Sequence, residues 1–160
     1  ERAARFLYLQ RLTFGGKVAG RSFGINYGGS SRFNLTTLAP LLQDVHERLT
    51  SVVIENLDWH VFLDRYDRPE TLFYLYPPYW GTEDIYGKAM FARDHYEVMA
   101  ERLARIKGRF ILSINDVPEI RSIFSAFKIE DVELTYTAAG GAGKPAHEVI
   151  ISNERQTDGA

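Results

Sequence analysis

Thr71-Leu-Phe-Tyr-Leu-Tyr-Pro-Pro-Tyr-Trp80 is the stretch from which the rest of the chain can be read. Leu72 to Leu75 is a short apolar, aromatic-rich run of the kind that forms a buried strand. Pro77 and Pro78 end it, because neither has an N–H for a ladder and each holds φ near about −65°. Tyr79 and Trp80 then place aromatic surface just past the strand's C-terminal edge, and Gly81 lets the backbone turn. In open α/β sheets that edge is where ligands bind. A rigid turn followed by aromatics suits a flat ring, and the plainer alternative is a strand end whose aromatics pack into the core.

Working outward, Arg109-Phe-Ile-Leu-Ser-Ile-Asn115 reads as a second buried strand and Ser51-Val-Val-Ile54 as a short β-branched one. Between them, Asp58–Tyr66 has helical spacing. Asp94 is placed to cap a helix from His95 to Lys107 that buries Tyr96, Met99, Leu103 and Ile106, and Gly108 to end it. Asn34 or Thr36 can cap a helix to about Arg48, with Pro40 in its first turn and Leu38, Leu41, Leu42, Val45 and Leu49 as its apolar stripe. Glu1–Leu12 is also helical in spacing. After Pro118 a helix to about Phe127 precedes two strands, Val132–Thr137 and Glu148–Ser152, joined by a glycine-rich loop. The tail from Asn153 reads as flexible. Alternating strands and helices with a terminal hairpin predict an α/β fold, its sheet mostly parallel with a C-terminal antiparallel hairpin.

Composition sets the bounds. The chain has 160 residues, 45% hydrophobic and 25% charged, with no cysteine, which excludes disulfides and thiolate chemistry. It has no run of about 18 apolar residues and no signal-peptide pattern, so neither a membrane span nor export is expected and a cytoplasmic location is. Arg2, Arg5, Arg11, Lys17, Arg21 and Arg32 face the single acid Glu1 in the first 33 residues, although the whole chain carries a net charge of −2. A basic end on an acidic body is what contact with phosphate at that end requires, and a solvated basic face is the alternative.

Leu72-Phe-Tyr-Leu-Tyr-Pro-Pro-Tyr-Trp80 resembles the catalytic segment of Dam-type DNA adenine-N6 methyltransferases, whose signature is Asp-Pro-Pro-Tyr at a strand end. The resemblance runs from about residue 3 to 152. It implies a single Rossmann-like methyltransferase domain, S-adenosylmethionine as methyl donor, and double-stranded DNA whose target adenine is flipped out of the stack. Pro77, within the Pro77-Pro78 turn, would offer a carbonyl to the adenine amine, Tyr79 would stack on the base, and Trp80 would extend the wall. Tyr76 stands where the family has its catalytic aspartate. A phenol is a weaker acceptor, neutral at pH 7, and longer, so its ring enters space meant for base or donor. Loss of such a polarising group typically costs on the order of 10²–10³ in rate. The expectation is therefore an impaired methyltransferase, with an inactive DNA-binding or structural remnant as the alternative.

Other segments carry the same likeness. Phe6-Leu-Tyr-Leu-Gln-Arg-Leu-Thr-Phe-Gly-Gly16 is similar to the family's entry into its target-recognition region. Residues 11–33 would then meet DNA through Arg11, Lys17, Arg21 and Arg32. Ile54-Glu-Asn-Leu-Asp58 resembles the segment whose acid faces the donor's adenosine, which assigns Asp58 to the cofactor. Leu112-Ser-Ile-Asn115 is similar to the strand end beside the active site, which puts Asn115 near DNA. The family's Phe-x-Gly-x-Gly donor motif has no counterpart, so a chain missing its N-terminal donor-binding segment is expected.

Three weaker patterns compete. Gly20-Arg-Ser-Phe-Gly24 fits a hydrolase nucleophile elbow, but glycine-rich basic sequence flanks it where a strand and a helix are needed. Gly140-Gly-Ala-Gly-Lys144 departs from a phosphate loop at Ala138 and Pro145, leaving Lys144 as a phosphate contact at most. The four histidines have no metal-binding spacing.

Overall fold

The structure, a computed structural model, describes residues 1–13, 33–83, 91–136 and 144–153. The chain divides into two compact units, Glu1–Asn56 and Leu57–Ala160.

In the first unit, α1 (Arg2–Leu12) stops at Thr13, whose hydroxyl and N–H both donate to the Leu9 carbonyl at 2.6 and 2.9 Å. Asn34 caps α2 (Leu35–Leu49), its side-chain oxygen accepting from the Thr36 N–H at 2.9 Å. Pro40 lies beyond the first turn in which it was expected. There its missing N–H deprives the Thr36 carbonyl of its helical partner. Of the apolar stripe only Leu38 is buried, while Leu41, Leu42, Val45 and Leu49 are exposed. The strand expected at Ser51–Ile54 does not form, and Val53 and Ile54 are 79% and 76% exposed. β-Branched residues favour extended backbone, but a strand also needs a ladder partner.

The second unit runs α3 (Trp59–Tyr66), β1 (Leu72–Leu75), α4 (Asp94–Leu103), β2 (Arg109–Asn115), α5 (Pro118–Ile123), β3 (Lys128–Tyr136) and β4 (Lys144–Ser152). Its four strands form one sheet in the order β1-β2-β4-β3. β1 and β2 are parallel, whereas β2 with β4 and β4 with β3 are antiparallel. Among the described residues the fold is therefore mixed α/β, and the sheet is mostly antiparallel rather than mostly parallel. Two findings account for the difference. The strand expected at Ser51–Ile54 is absent, and the terminal strands run nine residues each instead of the shorter spans expected. Polar residues such as Glu130, Asp131 and Glu133 conceal the length of β3 in the sequence.

Local staples align the two parallel strands. The Asp67 carboxylate accepts from the Lys107 and Gly108 N–H groups at 2.8 and 3.0 Å. The Thr71 carbonyl accepts from the Arg109 N–H at 2.8 Å. Gly108 sits under this staple and does not cap α4, which ends at Leu103. A Cβ at Gly108 would lie 2.7 Å from the Thr71 carbonyl oxygen and 2.9 Å from that of Arg68, so close backbone approach is what requires glycine here. Asp94 is likewise inside the first turn of α4 and not its cap, where it complements the helix dipole.

The register Phe73↔Phe110 and Leu75↔Leu112 puts alternate residues on one sheet face. Phe73, Phe110, Leu112, Ile114, Val149 and Ile151 cluster there with Tyr96, Met99 and Leu103 of α4, Ile120 of α5, and Phe124. α5 stops at Ile123, short of the expected Phe127, because the chain turns to bury Phe124 and set Phe127 edge-on to Phe110 at 5.1 Å. Asn153, expected in a flexible tail, donates to the Gly108 carbonyl and accepts from the Phe110 N–H, both at 3.0 Å. Residues 154–160 lie outside the described residues.

Candidate active site

The parallel pairing brings β1 to its end beside the last residues of β2, and the chain then bends back over them. Tyr79-Trp80-Gly81-Thr82 closes a turn, the Thr82 N–H reaching the Tyr79 carbonyl at 2.8 Å with Gly81 at φ +88°. A positive φ at the third position is the signature of a type II turn and the reason glycine stands there.

Three elements fix this turn. Asn115, the last residue of β2, accepts from the Trp80 N–H at 2.8 Å and donates to the Trp80 carbonyl at 3.3 Å. Tyr96 of α4 donates to the Pro78 carbonyl at 2.9 Å. From β4, the buried Glu148 carboxylate accepts from the Tyr79 hydroxyl, and its other oxygen lies 3.4 Å from the Ser113 hydroxyl. Asn115 and Glu148 are paired in register, so one rung of the sheet holds both the Trp80 backbone and the Tyr79 ring.

Tyr76 projects outward, 59% exposed, with its hydroxyl 3.1 Å from that of Tyr79 and the two ring centroids 5.8 Å apart. Trp80 is enclosed more fully. Its ring packs on Tyr96 at 5.2 Å, and the Arg93 guanidinium lies 5.0 Å from its centroid. Arg93 also approaches Glu83 at 3.4 Å. The Gly81 N–H bond to Glu83, aided by the Arg93 charge, holds that carboxyl below the usual range. Burial, reinforced by the Glu83 charge, pushes the Tyr96 hydroxyl up to about 12. Tyr96 therefore stays protonated as the donor to Pro78 across the physiological range.

The arrangement offers an aromatic surface anchored by its hydroxyl, on a backbone that cannot move freely. A family model describing D12 class N6 adenine-specific DNA methyltransferases matches residues 1–138, which include the whole of this turn. The chain belongs to that family. A comparison with curated proteins finds no match.

Among the residues to which the sequence assigned roles in this D12-class chain, Tyr76, Pro77, Pro78, Tyr79, Trp80 and Asn115 come together in the turn just described. Asn115 is engaged with the Trp80 backbone, which makes it a support of the turn. Asp58 is exposed at the N-terminus of α3 and makes no capping bond there. Arg11 is exposed on α1 in the first unit, and Lys144 is the first residue of β4. Lys17, Arg21 and Arg32 lie outside the described residues.

Sequence reasoning placed the strand end that holds Ser113 beside the site but missed Glu148, Tyr96 and Arg93 as parts of it. Glu148 had one legible signal, an acid beside the apolar run Val149-Ile-Ile151. Tyr96 was read as core, and it is core as well as clamp. Among the described residues no group of three or more potential ligands could hold a metal ion, and no helix is long and apolar enough to cross a membrane.

Proposed function

We propose that the chain transfers a methyl group from S-adenosylmethionine to N6 of an adenine flipped out of duplex DNA, at a rate lowered by Tyr76. The observation that carries this reading is the Pro77-Pro78-Tyr79-Trp80 turn, fixed from β2, β4 and α4 at the end of a strand in a chain of this family. Tyr79 serves as the platform for the flipped base, since Glu148 anchors its hydroxyl while its ring flanks the exposed Tyr76. The Pro78 carbonyl is engaged by Tyr96, so the carbonyl offered to the amine is that of Pro77. Holding the base and amine in one geometry is the main contribution these residues make to the rate. Asp58 fits the donor as an acceptor for its ribose. The donor supplies an electrophilic methyl group on a sulfonium.

Tyr76 favours a second reading, DNA binding without transfer. A neutral phenol polarises an amine less than a carboxylate does, at a cost on the order of 10²–10³ in rate. Calorimetric titration with S-adenosylmethionine, of the chain and of Tyr76→Asp, separates the two. Heat from both supports the transferase, and heat from Tyr76→Asp alone means that the tyrosine blocks the donor pocket of this chain. No heat from either, with salt-dependent DNA binding retained, supports the binding protein.

A further inference from the structure

We propose that Glu148 is a positioning residue that sets the direction of a hydroxyl chain, so that Tyr76 turns hydrogen-bond acceptor capacity toward the flipped base in place of the family's aspartate. Hydrogen-bond donors are limiting in this chain, given the reading of Tyr79 as the base platform. Tyr79 has a single hydroxyl proton, and a carboxylate can only accept. The Tyr79 proton therefore goes to Glu148. The bond between the hydroxyls of Tyr76 and Tyr79, 3.1 Å apart, must then run from Tyr76 to Tyr79. With its own proton committed, the Tyr76 oxygen has only lone pairs to present. Each bond in such a chain polarises the next, which makes the terminal oxygen a better acceptor than an isolated phenol.

The place of each group supports this assignment. Glu148 is 6% exposed, on the β4 register position opposite Asn115, with Ser113 beside its second oxygen. A carboxylate held there by the sheet is fixed relative to the turn that Asn115 holds. At the other end Tyr76 is 59% exposed and open to a ligand. An adenine presents an amine with two hydrogens at the edge the family's aspartate reads. A purine lacking that amine has none to offer.

The test measures binding of the whole chain to duplexes carrying either adenine or purine at an unpaired, extrahelical position, with base stacking followed by the quenching of a fluorescent base analogue. The chain is expected to prefer adenine by about three- to tenfold, the range that one hydrogen bond supplies. Tyr76→Phe removes the oxygen, and Tyr79→Phe cuts the chain while keeping the stacking ring. Tyr76→Phe should bring the preference to about one, Tyr79→Phe should lower it while keeping the quenching, and Glu148→Gln should lower it too. Full preference retained in Tyr79→Phe and Glu148→Gln would overturn the proposal, and where Glu148→Gln fails to fold, Tyr79→Phe alone decides. A chain that stacks the base without preferring adenine overturns this proposal alone. A chain that binds no DNA overturns the functional reading with it.

Discussion

Replacing Asn115 by alanine removes both bonds that tie the Trp80 backbone to the end of β2, at 2.8 and 3.3 Å. The shorter bond is of normal strength, and the longer one is weak. A bond of this kind contributes about 0.5–1.5 kcal/mol net, and a half-buried N–H left without its acceptor adds to the loss. We expect a cost of about 2 kcal/mol, or about 4–8 °C in Tm for a chain of this size. Asn115→Asp keeps an acceptor for the Trp80 N–H but sets a carboxylate oxygen against the Trp80 carbonyl, so its cost should be no smaller than that of the weak bond alone. The two tryptophans, Trp59 and Trp80, both belong to the Leu57–Ala160 unit, so tryptophan fluorescence during urea unfolding follows that unit. A midpoint for Asn115→Ala equal to that of the parent chain would refute the claim that this side chain holds the turn.

Three further outcomes follow from the same geometry. Gly108→Ala forces a Cβ to within 2.7 and 2.9 Å of two backbone oxygens that no rotamer change can move. Urea unfolding should show a loss of about 1–3 kcal/mol, and an unchanged midpoint would contradict the close approach. The Tyr96 hydroxyl is raised to about 12 by burial and the Glu83 charge. The folded state keeps this proton while the unfolded chain loses it near about 10, so the contribution is complete below about 10 and falls away as pH rises toward 12. Tyr96→Phe should flatten that alkaline decline, and identical pH profiles would contradict it. Arg121 hydrogen bonds hold the Asp116 carboxyl below its usual value, at 2.6 and 3.0 Å. Asp116 thus stabilises above the ordinary carboxylate range and loses that effect as pH falls through its lowered value. Arg121→Ala should begin acid unfolding at higher pH, as followed by circular dichroism.

Period and punctuation made much of this fold legible. β1 and β2 appear where the apolar runs Leu72–Leu75 and Arg109–Asn115 stand, and α2 begins at the Asn34 cap. The terminal hairpin of β3 and β4 was readable, whereas sheet order was hidden, because β4 meets β2 through a pairing remote in sequence. The apolar Ser51–Ile54 run misled for the same reason, since propensity does not reveal whether a ladder partner exists. Within the site, contiguous residues were readable and distant ones were not. Pro77, Pro78, Tyr79 and Trp80 announce a turn, whereas Glu148 lies 69 positions from Tyr79 and meets it only through the β2–β4 pairing. Gly108 shows the limit from the other side. A glycine after a helix reads as a cap, and only the Thr71 and Arg68 carbonyls reveal it as a close approach.

On the proposed function, the turn beyond β1 presents an adenine amine for methylation and Tyr76 slows the transfer. Incubation of the chain and of Tyr76→Asp with duplex DNA and isotopically labelled S-adenosylmethionine, followed by mass spectrometry of the nucleosides, tests it directly. The account predicts label only in N6-methyladenine, rising on the order of 10² or more with Tyr76→Asp. Label in another base, or none from either form while both bind DNA, would contradict it.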